Sequence, residues 1–122
     1  MPHSSPISAG ATYLDRARRI EELREAARRA QARVPSIQRI ILFGSLAAGV
    51  PTPRSDADLL VVMPTLGRPG RERVPDLLAA LSPLPCPVDL FVVSEDELEC
   101  ARRDDLPLVR EALGAGLDLL AA

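Results

Sequence analysis

Lysine is absent from this chain of 122 residues: all 15 of its basic side chains are arginine. A phosphate-binding Walker lysine, a Schiff-base lysine and a lysyl-adenylate nucleophile are therefore excluded, since each needs an amine. Histidine is nearly absent. His3, in a Ser/Pro-rich opening stretch, is the single copy, so Ser-His-Asp triads, Cys-His dyads and HExxH zinc sites lack their central residue. Cys86 and Cys100 are the only two cysteines, and without neighbouring His they suggest neither a zinc knuckle nor a disulfide framework. Tryptophan is missing and the aromatics total one Tyr and two Phe. With 17 acidic against 15 basic groups, no phosphate-neutralising surface and no base-stacking platform is indicated, and direct nucleic-acid binding is not expected. No apolar run approaches the roughly 20 residues that span a bilayer, and the opening residues show no charged n-region followed by an apolar h-region. The expectation is a soluble cytoplasmic protein with no membrane partner. Carboxylates, hydroxyls, arginines and backbone are what remain for chemistry.

What is present suits one domain, with 47% hydrophobic and 26% charged residues. Residues 1–11 read as a flexible leader and residues 12–122 as a single domain. From Thr12, apolar residues at Leu14, Ala17, Ile20, Leu23, Ala27, Ala30 and Val34 recur at helical spacing up to Pro35. The interleaved Arg and Glu of this segment read as a solvated face with intrahelical pairs, a partner-docking surface being the other reading. Ile37 to Phe43 is a β-branched, apolar strand ending at Gly44-Ser45, and one helical turn is expected near Leu46 to Gly49. A second strand follows Ser55, with Asp56 and Asp58 at its start and an apolar run to Met63. Residues 64–73 read as an exposed loop, Val74 to Leu81 as a short helix, and Val88 to Val93 as a third strand interrupted by Asp89. Ser94 and Glu97 form a capping box for a helix near 95–103, and Asp104 or Asp105 with Pro107 opens another through Leu113. The two glycines near the end favour a turn into an edge strand. This alternation predicts an α/β (α+β) fold, a three- to four-stranded sheet with helices packed on it.

The informative constellation is Gly44-Ser45, ten residues, Asp56-x-Asp58, and then Asp89 in the next strand. Side chains two apart on a strand share a face, so Asp56 and Asp58 would aim their carboxylates together. Asp56 and Asp58 are like charges held close, Asp89 adds a third inside an apolar strand, and buried anionic groups persist only when paired or when they coordinate a cation. Taken alone, Asp89 would read as an edge-strand residue facing solvent. Hard oxygen donors without His or Cys select Mg²⁺, with Mn²⁺ as the alternative. A glycine at a strand-to-helix corner lets backbone amides approach a polyphosphate, and Ser45 adds a hydroxyl donor. Together these suit in-line displacement at a nucleotide phosphate. Four fixed residues at this spacing arise by chance on the order of once in a thousand chains.

The stretch LFGSLAAGVPTPRSDADLLVV, with VDLFVV downstream, resembles the minimal nucleotidyltransferases of the DNA polymerase beta superfamily. The resemblance covers roughly residues 37 to 93. It implies a nucleotidyltransferase fold with a mixed sheet and two Mg²⁺ ions. Asp56 and Asp58 would bridge both ions, while Asp89 would bind the catalytic one and help deprotonate the attacking hydroxyl. Gly44 and Ser45 would hold the phosphates of ATP. The sequence departs from the family pattern G-S-x-A-R-G, because Leu46 and Ala48 stand where arginines are common. Arg54, or Arg68, Arg71 and Arg73, would have to supply that contact. Small members of the family often serve as the antitoxin of a pair with a HEPN-domain toxin, which they bind and adenylylate on tyrosine. The resemblance thus implies transfer of AMP from ATP to such a partner, in a homo- or hetero-oligomer. Two other readings stay open: a binding module that neutralises its partner without turnover, and a small aminoglycoside nucleotidyltransferase.

Overall fold

The computed structural model describes residues 5–49, 56–65 and 67–121, with side chains described from Arg16 onward. Helix α1 spans Ser5–Arg33. It therefore begins seven residues before Thr12, inside the stretch expected to be a leader. Pro6 does not oppose this, since proline is tolerated in a first turn where its missing N–H has no partner to lose. Strand β1 (Arg39–Phe43) leads into α2, a turn of four residues (Ser45–Ala48), and β2 follows at Ala57–Met63. A 3-10 turn at Gly70–Arg73 runs into α3 (Val74–Leu81), and β3 is Val88–Ser94. Helices α4 (Glu95–Arg103) and α5 (Pro107–Ala115) precede the short strand β4 (Leu117–Asp118).

The strands form one mixed sheet in the order β3-β2-β1-β4. Strand β1 runs antiparallel to both β2 and β4, whereas β2 and β3 are parallel. Strand β2 is thus internal, with a neighbour on each side and helices over both faces, which is why it reads as an uninterrupted apolar run from Leu59 to Met63. One face of the sheet (Ile40, Leu42, Leu59, Val61, Met63) packs with Leu23, Ala26, Ala27 and Ala30 of α1 and Leu77 and Leu81 of α3. The alanine stripe lets α1 lie close to the strands. The other face (Ile41, Phe43, Leu60, Val62) packs with Ala112 of α5 and with Leu98, Leu108 and Leu113. Burial of each large aliphatic contributes about 1.5–3 kcal/mol. Among the described residues no helix is long and apolar enough to cross a membrane.

Among the described residues the arginines of α1 do not form the expected intrahelical pairs. Among the described residues α1 carries no ion pair at all. Several reach instead to backbone carbonyls: Arg19 to Pro85, Arg29 to Leu81 and Pro83, Arg33 to Ala80 and Ser82, and Arg24 to Asp118 and Ala121, while Arg18 and Arg28 are exposed. Loops leave carbonyls without ladder partners, and a guanidinium offers five donors to satisfy them. Ala17, expected in the apolar stripe, is exposed. The loop of residues 64–73 is not wholly exposed either. Gly70 is buried, because its Cα lies against β3 where a Cβ would stand 2.0 Å from the Val92 carbonyl oxygen. The capping box of α4 forms as expected: Ser94 Oγ accepts from the Glu97 amide, and the Ser94 amide donates to Glu97 Oε1. Helix α5 opens at Leu106 instead of at an aspartate, since Asp105 has turned to pair with Arg110.

Candidate active site

Antiparallel pairing sets Phe43 opposite Asp58, and parallel pairing sets Asp58 opposite Asp89. These three residues form one row across the sheet, on the face that also presents Leu60 and Val62 to α5. Gly44 follows Phe43 directly, so the row brings the Gly44-Ser45 turn to the same end of the sheet as both aspartates. The Ala57 amide donates to the Pro87 carbonyl at 3.0 Å and locks the start of β2 against β3. Ala57 and Leu59, on either side of Asp58, are fully buried. Asp58 is held between two anchored neighbours and is itself half-buried.

Burial raises the Asp58 pKa above its ordinary 3.8, and Asp89, then Glu111, then Asp56 raise it further by charge repulsion. The Asp58 and Asp89 carboxyls also approach within hydrogen-bonding reach, an arrangement that favours a proton, or a cation, between them. Asp56 stands immediately before β2 rather than within it. Its influence on Asp58 is the weakest of the three carboxylates, because it lies outside the strand ladder that fixes Asp58 beside Asp89. Asp89 is exposed, contrary to the expectation of a buried acid. Strand β3 is an edge of the sheet, so its alternate side chains reach solvent despite their apolar sequence.

Gly44 has φ 80° and ψ −159°, a region that is essentially glycine-only. A Cβ placed there would lie 2.2 Å from Asp58 Oδ2. The glycine thus leaves room for the aspartate carboxylate, whereas the sequence had suggested only room for phosphate. In α2 the Ala48 amide donates to the Gly44 carbonyl at 3.0 Å. The amides of Ser45, Leu46 and Ala47 precede that bond and belong to the open end of the turn. Arg54 lies outside the described residues. Arg68 pairs with Asp76 of α3 at 3.6 Å, and Arg71 and Arg73 belong to the 3-10 turn.

Among the described residues no three carboxylates converge as a ready ligand cluster. The donor chemistry nevertheless suits a hard divalent cation, since Asp58 and Asp89 are cross-strand neighbours and Asp56 is near enough to be felt. Glu111, on α5, is the residue that sequence reasoning missed. No strand pattern points to it, and only the packing of α5 against the sheet brings it toward Asp58.

A mixed sheet with helices on both faces, a Gly-Ser corner and aspartates on adjoining strands defines the nucleotidyltransferase fold. Residues 20–113 match the nucleotidyltransferase domain family, and the chain belongs to that family. Nucleotidyltransferase domains generally use divalent metals. The fold is similar to that of a provisionally named nucleotidyltransferase from Sulfolobus solfataricus, with TM-score 0.62 and 18% identity over 88% of this chain and 84% of that chain. It is also similar to a toxin-antitoxin structure determined with AMP-PNP, with TM-score 0.51 and 24% identity over 81% of this chain and 73% of that chain. No curated protein matches the chain.

Proposed function

We propose that this protein transfers AMP from ATP to a hydroxyl, that of a tyrosine on a HEPN-domain toxin, and acts as the antitoxin of that pair. The observation that carries the reading is the row across the sheet: the Gly44-Ser45 turn, Asp58 and Asp89 are neighbours, with the Asp58 carboxylate against the Gly44 Cα. Family membership supports nucleotidyl transfer. The likeness to a toxin-antitoxin structure containing an ATP analogue supports a protein partner.

In this reading Asp56, Asp58 and Asp89 hold Mg²⁺, or Mn²⁺, which neutralises phosphate charge and polarises the α-phosphoryl group when bound. The backbone amides at Ser45 and beyond, with the Ser45 hydroxyl, orient the triphosphate. Asp89, exposed on the edge strand, accepts the proton of the incoming hydroxyl. The hydroxyl oxygen bonds to the α-phosphorus, the bond to the β-phosphate oxygen breaks, and pyrophosphate leaves with the electron pair. The three carboxylates repel one another without a cation. That tension is the expected cost of a site built for one.

The test is incubation of the protein with α-labelled ATP, Mg²⁺ and a HEPN partner, beside an Asp56→Asn, Asp58→Asn double variant. Label on the partner that vanishes with the variant is the expected result. No label, with a tight complex retained in both, would replace this reading with one of neutralisation by binding alone. The sequence feature that favours that second reading is the turn Ser45 to Gly49, which carries no basic residue of its own.

A further inference from the structure

The four-residue turn α2 cannot hold its own direction. So short a helix is marginal in water. Its N-cap is a glycine with no side chain to contribute, and its backbone bonds are few: the Ala48 amide donates to the Gly44 carbonyl at 3.0 Å, and the Gly49 amide to the Leu46 carbonyl at 3.3 Å and to that of Ser45. Its orientation must therefore be fixed from outside. Arg16 of α1, 30 residues away in sequence, donates from Nε to the Leu46 carbonyl at 2.8 Å and from Nη2 to the Ala47 carbonyl at 2.7 Å. Two bonds from one planar guanidinium fix direction as well as distance, and both have charge-assisted length. They fall on the carbonyl end of the turn, where a cation complements the backbone dipole. Gly49, left-handed at φ 76° and ψ 17°, lies beneath the guanidinium: a Cβ there would be 3.5 Å from Arg16 Nε.

We propose that Arg16 is the positioning residue of the Gly44-Ser45 turn, setting where its amides point and where Gly44 meets Asp58. It supplies from α1 the basic contact that the turn itself lacks. The inference rests on the nucleotide-binding reading of this turn. The other arginines of α1 use the same chemistry on different segments, so they are matched controls. Arg33, for example, donates from Nη1 to the Ala80 and Ser82 carbonyls at 3.0 and 3.1 Å.

The experiment measures binding of AMP-PNP with Mn²⁺ by calorimetry, and thermal unfolding of each protein without ligand, for wild type, Arg16→Ala, Arg16→Gln and Arg33→Ala. Loss of both bonds in Arg16→Ala should raise the Kd by about tenfold or more. Arg33→Ala should lower the Tm about as much as Arg16→Ala does and leave the Kd alone. Equal Kd values for Arg16→Ala and wild type, or an equal rise in Kd in Arg16→Ala and Arg33→Ala, overturn the positioning role. Should Arg16→Ala not fold, Arg16→Gln decides, because it keeps one neutral donor. Its Kd should rise several-fold, and a wild-type Kd overturns the proposal. Wild type that binds no AMP-PNP overturns the nucleotide-binding reading and the positioning role with it.

Discussion

Replacing Gly44 by alanine adds one methyl group and should produce two separable effects. The first is on the backbone: at φ 80° and ψ −159° a residue with a Cβ costs about 1–3 kcal/mol. The second is on Asp58. The new Cβ would lie 2.2 Å from Oδ2 but 3.3 Å from Cγ and 3.6 Å from the Asp58 Cβ. Only the end of the side chain is in the way, so the carboxylate can swing aside instead of forcing the strands apart. Stability should fall by about 1–3 kcal/mol in urea unfolding, and Mn²⁺ affinity should fall because Asp58 no longer faces Asp89. Gly114→Ala is the reference: a Cβ there meets nothing within 4 Å, and the helical substitution should stabilise by about 0.4–1 kcal/mol. A cycle with Asp58→Ala separates the terms, since the steric part of the Gly44→Ala cost disappears when Oδ2 is absent. The double variant should be less destabilised than the sum of the singles. Strict additivity, or a Gly44→Ala protein as stable as wild type, would refute the reasoning.

Asp58→Asn removes one partner of a like-charged cross-strand pair, so the metal-free protein should gain about 0.2–1 kcal/mol and a few degrees in Tm, while Mn²⁺ binding measured by titration is lost. The pH dependence of the metal-free protein follows from the same group. Its folded pKa is raised above 3.8, so the folded state binds the proton more tightly than the unfolded chain. That contribution is fully present below pH 3.8 and is lost as pH rises through the folded value. The stability difference between wild type and Asp58→Asn, from urea unfolding with EDTA across this range, should widen with rising pH; a constant difference contradicts the assignment. Ser94→Ala removes the acceptor for the Glu97 amide and should cost about 1 kcal/mol in the same assay. Leu60→Ala, at a fully buried position, should cost about 2–5 kcal/mol, and a loss below 1 kcal/mol would show that the α5 face of the sheet is not packed as described.

Local chemistry made much of this protein readable. The β-branched runs, the Pro35 and Pro64 breaks and the Ser94-Glu97 capping box each depend on neighbours a few residues away, and the strands and α4 formed where those signals stood. Gly44-Ser45 and Asp58 lie at the same end of the sheet because Phe43, the residue before the turn, pairs with Asp58 across the β1-β2 ladder. What sequence could not decide was which strand would lie at an edge. Val88 to Val93 reads as apolar as β2, yet only β2 is covered on both sides, so Asp89 reaches solvent. The parallel register that sets Asp58 beside Asp89, the α5 packing that brings Glu111 toward them, and the reach of Arg16 to the α2 carbonyls all join residues far apart in the chain. Helical period alone made the α1 arginines look like a solvated face. Carbonyls left open by distant loops turned Arg16, Arg19, Arg24, Arg29 and Arg33 into clamps, while Arg18 and Arg28 stay on a solvated face. Short-range sterics and charge made most of the elements, and the candidate donors of the proposed site, legible in the chain itself; tertiary packing decided which groups meet, since that depends on how long-range contacts close.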